Sequence, residues 1–197
     1  MSAGPLLYYV RHGQTDWNAE LRFQGSRDIP LNDTGRLQAE DYGQKLSSLI
    51  DDGQEFQFIS SPLCRARETM EIIRKHLNMP IGEYSIDDRL REISYGNFEG
   101  RTQPEIKAEN RTIYYERKQN MWTFRPEGGE SHQDVIGRVR QWYESLDPSA
   151  KYLVTAHGAI GRVLRHVILG LSPDEVSKFR FPQDRVFRFK EGLEEQI

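Results

Sequence analysis

Cysteine is nearly absent from this chain of 197 residues. Cys64 stands alone, so no disulfide framework can form within one copy. Long apolar runs are missing as well, and nothing approaches the roughly 20 residues that a membrane-spanning helix needs. Charge of one sign is scarce: 27 basic and 30 acidic residues leave a formal net charge of −3. That balance offers no footprint for nucleic acid or an anionic membrane, so neither is expected as a partner. An anionic ligand must then be held by local positive charge. The first ten residues have no basic n-region, and their apolar run at residues 6–10 reads as a first strand, not a secretory signal. A soluble cytoplasmic protein is the expectation.

What the chain does have is core material. Hydrophobic residues make up 37%, with Trp, Tyr and Phe spread throughout, which argues against disorder. The length suits one compact domain over residues 1–197, or one domain with a lid inserted into it.

Leu6-Leu7-Tyr8-Tyr9-Val10 is a β-prone run of the kind buried on both faces of a sheet. Asn32-Asp33-Thr34-Gly35 opens a helix reaching about Ile50, and residues 56–60 form a second strand. Ser61 before Pro62 predicts an N-cap with proline at the first helical position. Residues 81–102 read as short extended pieces around two glycine turns, and residues 104–121 as one charged lid helix. Ser131 to Asp134 fits a capping box. Residues 151–156 make a third strand, residues 160–169 a helix ending at Gly170, and residues 185–189 a last strand. Strands alternating with helices predict an α/β fold, a three-layer αβα sandwich around a mostly parallel sheet. Ligands in such sheets sit at the carboxyl ends of the strands.

Two histidines occupy that edge. Arg11-His12-Gly13 follows the first strand and His157-Gly158 the third, each with a glycine that lets backbone approach a ligand. A lone strand-end histidine is usually unremarkable; the fixed charge of Arg11 beside His12 makes this one different. Arg65 falls in the first turn of the helix after the second strand, where the dipole already favours anions, and its planar fork suits phosphate. Arg67 reads as a solvated charge. Attack by histidine on a phosphoester must expel an alkoxide, which calls for a carboxylic acid. Glu92 and Glu99 both qualify, and the residues alone do not choose between them. No His or Cys pair has metal-ligand spacing, so neither a metal nor another cofactor is expected. His76, His132 and His166 read as surface or supporting groups.

The ordered set Arg11-His12-Gly13-Gln14-Thr15, Asn18, Gln24-Gly25, the Ser61-to-Thr69 segment, Glu92 with Tyr95-Gly96, Phe98-Glu99-Gly100, residues 126–131 and His157-Gly158 resembles the histidine phosphatase (phosphoglycerate mutase-like) superfamily. The likeness covers roughly residues 6–170. It implies that His12 is a nucleophile forming a phosphohistidine, with Arg11, Arg65 and His157 around the phosphoryl oxygens. By the same resemblance Glu92 is the general acid, and Thr15, Asn18, Gln24 and Gly158 belong to the substrate-binding set. The implied partner is a small phosphorylated molecule.

The same superfamily includes mutases. The short segment between Gly100 and Pro126, and Gln103 where the mutases carry a lysine, favour a phosphatase over a mutase. A non-catalytic phospholigand-binding protein is the remaining alternative. The lid expected at about residues 101–126 mixes cations and aromatics, among them Arg111, Tyr114, Tyr115, Arg117, Lys118, Trp122 and Arg125, suited either to a second portion of substrate or to solvent.

Overall fold

The computed structural model describes residues 4–197. In chain order it contains β1 (Leu6–Arg11), α1 (Asp16–Ala19), α2 (Asp33–Ser47), β2 (Phe56–Ser60), α3 (Cys64–His76), β3 (Ser85–Ile86), α4 (Gln103–Glu109), α5 (Arg111–Gln119), α6 (His132–Glu144), β4 (Lys151–Ala156), α7 (Gly158–Leu169), α8 (Pro173–Lys178), β5 (Val186–Lys190) and β6 (Leu193–Gln196). The strands form one sheet in the order β3-β2-β4-β1-β5-β6. The β3, β2, β4 and β1 strands run parallel, while β5 and β6 close one edge antiparallel. The fold is α/β.

Alternation along the central strands builds two cores. Leu7 and Tyr9 pack on one face with Val139, Trp142, Val163 and Leu164 of α6 and α7. Tyr8 and Val10 pack on the other with Tyr42, Leu46, Met70 and Ile73 of α2 and α3. Both faces are covered, which explains why residues 6–10 of β1 and 152–154 of β4 are apolar without alternating with charged residues. Fully burying each such side chain is worth about 1.5–3 kcal/mol.

Register then delivers the site. Arg11 pairs with Ala156 in the parallel β1–β4 ladder, so His12 and His157 leave the sheet side by side. The backbone N–H of His12 donates to the Ala156 carbonyl at 3.0 Å, and that of Ser61 does the same to Thr155 at the end of β2.

Several local expectations change. Ser61 does not cap α3: that helix begins at Cys64 behind Leu63, which makes no side-chain cap, and the Cys64 N–H donates instead to Asp28 at 2.7 Å. The single helix expected over residues 104–121 is two, α4 and α5. Asn110 breaks it by taking an extended backbone and accepting from the Ile113 N–H at 3.1 Å, a local bond that competes with helix continuation. β3 is one of the short extended pieces expected over residues 81–102, while α1, α8 and β6 were not expected, being four to six residues long and carrying little periodicity.

Gly13 also has a different purpose from the one its neighbours suggested. A Cβ on Gly13 would overlap the backbone carbonyl of Gly35, and a Cβ on Gly35 would overlap that of Gln14. The close approach is between the loop after β1 and the start of α2, not toward a ligand. Gly35→Ala should therefore lower stability by about 1–3 kcal/mol. Gly137→Ala, on α6 where a Cβ meets nothing within 4 Å, should raise it by about 0.4–1 kcal/mol. Urea unfolding of both variants checks the pair, and equal effects would contradict the contact.

Candidate active site

His12 lies just past the end of β1 and is almost fully buried. Its Nδ1 is 2.6 Å from the Gly13 carbonyl oxygen. A carbonyl can only accept, so Nδ1 carries the hydrogen and Nε2 keeps its lone pair. Arg65 points its Nε–H at that lone pair from 3.3 Å. Burial, and then the charges of Arg65 and Arg11, hold the His12 pKa well below the usual imidazole value. The ring is thus neutral, with its free nitrogen facing cations.

Those cations are fixed by backbone oxygens and not by acids. Arg65 is fully buried and donates to the carbonyls of Arg27 at 2.7 Å and Gly25 at 2.9 Å. Arg11 donates to the Phe181 carbonyl at 2.5 Å, and its buried Nε has no partner among the described residues. Arg162, on α7, donates to the Phe179 carbonyl at 2.8 Å. A cavity of about 150 Å³ collects Arg11, His12, Arg22, Arg65, Glu92 and Arg162 with several neutral groups. Glu92 is its only carboxylate against four arginines, so the space is set for an anion. Sequence reasoning missed Arg22 and Arg162, which belong to no motif it used.

The two carboxylates separate cleanly. Glu99 is occupied: it accepts from the Ser26 N–H at 2.8 Å, the Ser26 hydroxyl at 3.0 Å and the Tyr95 N–H at 3.1 Å, and it pairs with Arg27. It holds two loops together and does not line the cavity. Glu92 does line it, accepting among the described residues from the N–H groups of Ile93 at 3.1 Å and Ala159, in the first turn of α7, at 3.4 Å. Arg138 of α6 clamps the loop that carries Glu92 by donating to the carbonyls of Arg89 and Arg91, each at 2.7 Å.

Asn18, Gln24 and Gly158 also line the cavity. The Asn18 carboxamide oxygen accepts from the Thr15 N–H and from Gln183, which leaves its NH₂ end without a partner among the described residues. Thr15 does not reach the cavity. It is fully buried, and its hydroxyl caps α1 by accepting from the Asn18 N–H at 3.2 Å. His157 is set behind His12, ring centroids 5.2 Å apart, and is fully buried outside the lining. Its Nε2 is 2.6 Å from the Ser61 hydroxyl, its Nδ1 has no partner among the described residues, and its backbone N and O are both bonded by the Tyr9 hydroxyl. Thr69 accepts from the Gly13 N–H at 3.2 Å and so ties the loop after β1 to α3. Among the described residues no group of three His, Cys, Asp or Glu side chains is placed to hold a metal ion, and no helix is long and apolar enough to cross a membrane.

Residues 7–191 match the family described as the histidine phosphatase superfamily, branch 1. The chain belongs to this superfamily. Among its relatives, a Bacillus subtilis protein named uncharacterized phosphatase PhoE is 37% identical over 84% of this chain and 78% of its own. The 2,3-bisphosphoglycerate-dependent phosphoglycerate mutase 2 of Gloeobacter violaceus is 35% identical over 88% and 80%. In three dimensions the chain resembles the mycobacterial glucosyl-3-phosphoglycerate phosphatase, with a TM-score of 0.79, 27% identity, and coverage of 95% and 90%.

The remaining histidines of this histidine phosphatase chain fall apart in type. His76 is half-buried and pairs with Glu40. His166 lies partly buried near the end of α7 and bonds the Leu171 carbonyl. His132 is buried, not a surface group: it stacks on Trp122 with centroids 5.5 Å apart, and burial, then the charges of Arg162 and Arg117, push its pKa down to about 3. Burial likewise depresses the His157 pKa.

The His12, His132 and His157 rings are neutral in the fold but bind protons in the unfolded chain below about pH 6.5. Their contribution to stability is therefore complete above that pH and is lost as the pH falls toward the folded values. Urea midpoints should drop between pH 7 and pH 5. His132→Gln should flatten the slope by up to about 1.4 kcal/mol per pH unit, one proton's worth. An unchanged slope would mean that His132 is already protonated in the fold.

Proposed function

We propose that this chain is a phosphohydrolase that transfers the phosphoryl group of a small phosphomonoester first to His12 and then to water. The observation that carries the reading is the unprotonated Nε2 of His12, which accepts only a long contact from Arg65 in a cavity whose single acid among the described residues is Glu92. Nε2 attacks phosphorus, the P–O bond to the leaving alcohol breaks, and Glu92 in its acid form protonates the departing oxygen. The resulting carboxylate then takes a proton from water as the water attacks the phosphohistidine. Phosphate leaves, and His12 is again neutral. Arg11 and Arg65 hold the phosphoryl oxygens and stabilise the charge of the transferring group. His157 supports the site from behind His12, with a buried Nδ1 that has no partner among the described residues. The NH₂ of Asn18, the Gln24 carboxamide and the Gly158 backbone complete the binding set, while Thr15 acts only through Asn18.

Hydrolysis is favoured over transfer to a second hydroxyl because the cavity adjoins a wider one of about 820 Å³, which leaves room for water. The relative named as a phosphatase points the same way. The mutase reading draws on the relative of nearly equal identity that is named a phosphoglycerate mutase.

Activity on p-nitrophenyl phosphate should survive EDTA and vanish in His12→Ala, with the circular dichroism spectrum retained. Turnover by His12→Ala at the wild-type rate would end the proposal. Interconversion of phosphoglycerates without phosphate release would select the mutase instead. Glu92→Gln should lower kcat by about 10²- to 10⁴-fold for esters with poor leaving groups. Because His12 is held neutral far below its usual range, kcat/KM should show no limb near pH 6.5; a limb there would place the imidazole in an ordinary environment.

A further inference from the structure

The wider cavity is more than an entrance. It shares Arg11, Asn18, Arg22, Phe23 and Arg162 with the inner cavity and adds Lys107 and Arg180, yet no carboxylate lines it. Its cations differ in how far they are neutralised. Arg22 pairs with Glu20 and Glu105. Arg162 has a backbone carbonyl and no acid partner among the described residues. Arg180 is exposed and has neither a hydrogen bond nor an ion pair among the described residues. Lys107 is half-buried beside the rings of Tyr114 and Tyr115, 5.6 and 5.7 Å from their centroids, again without an acid. Lys107 stands one helical turn beyond Gln103 on α4, so both face the same space.

Three uncompensated cations around one cavity repel each other, and an anion relieves that repulsion. The other walls include Phe23, Tyr114 and Phe181, which offer ring faces. At about 820 Å³ the space exceeds the needs of a three-carbon acid and suits a ring-sized body. Of the lid cations and aromatics singled out in the sequence, only Tyr114 lines it, beside Gln103, Pro104 and Lys107 of the same segment. Arg111, Lys118 and Arg125 are exposed elsewhere, Trp122 is buried against His132, and Arg117 lies over the Phe23 ring.

We infer that the substrate is a phosphomonoester whose ring-sized body carries a second anionic group, held by Lys107 and Arg180 while Arg162 spans the two cavities. This rests on the phosphohydrolase reading above. The test compares glucose 1-phosphate, glucuronic acid 1-phosphate and glucose 1,6-bisphosphate, which share a body and differ at one carbon. At least one charged ester should have a kcat/KM tenfold or more above glucose 1-phosphate, and which one gains tells a carboxylate from a phosphate. The double variant Lys107→Gln/Arg180→Gln should erase that advantage through KM and leave glucose 1-phosphate unchanged.

Equal kcat/KM values for the three esters, or equal losses on all three in the double variant, would overturn the subsite. Calorimetric binding of the same esters separates the two readings. A charged-ester preference that disappears in the double variant, without any hydrolysis, would keep the subsite and sink the phosphohydrolase. Hydrolysis dependent on His12 with equal binding of all three would do the reverse.

Discussion

Arg65 is a fully buried cation, and the architecture of the site follows from how that charge is accommodated. Removing an ion from water costs several kcal/mol unless something replaces the lost solvation. Here the replacement is two backbone carbonyls, Gly25 and Arg27, which orient the guanidinium without cancelling its charge. A carboxylate partner would have held it as firmly but would have left nothing for an incoming anion. The residual field acts on His12 first. A proton on Nε2 would face Arg65 directly, so the imidazole stays neutral and the lone pair stays available.

Holding that arrangement falls mostly to residues outside the cavity lining. Gly25 turns with a φ of +55°, and Glu99 secures the following residue through Ser26, so the loop presents its carbonyls to Arg65. The Tyr9 hydroxyl donates to the His157 carbonyl and accepts from its N–H, bridging β1 to the end of β4. Buried hydroxyls continue the chain: Thr155 bonds Ser60, Ser60 bonds the Ser61 carbonyl, and Ser61 meets His157. Networks of this kind are stiff because each member loses more by moving than one bond is worth.

The positive field extends outward along α7 and α4. Arg162 stands where the inner and outer cavities meet, and Lys107 and Arg180 lie beyond it. In the proposed reaction, the transferring group would meet the buried cations fixed by carbonyls, and the rest of the substrate those nearer solvent.

Much of this was legible in the order of residues. The strand at residues 6–10 could be read because burial on both faces demands uninterrupted apolar sequence, those at 56–60 and 151–156 because short β-prone runs lie between turns and helices, and the capping box at Ser131 because it is a local bond. The nearness of Arg11 to His12 is covalent and needed no structure. What tertiary structure decided depends on groups far apart in the chain. Glu99 is spent on Ser26, 73 residues away, and Glu92 is left to the cavity. Ser61 bonds His157 in place of its own helix, and Arg162 joins the site although no motif marks it. A sequence sets which groups a chain carries and which neighbours they must have. Only folding decides which of them find partners, and chemistry is left to those that do not.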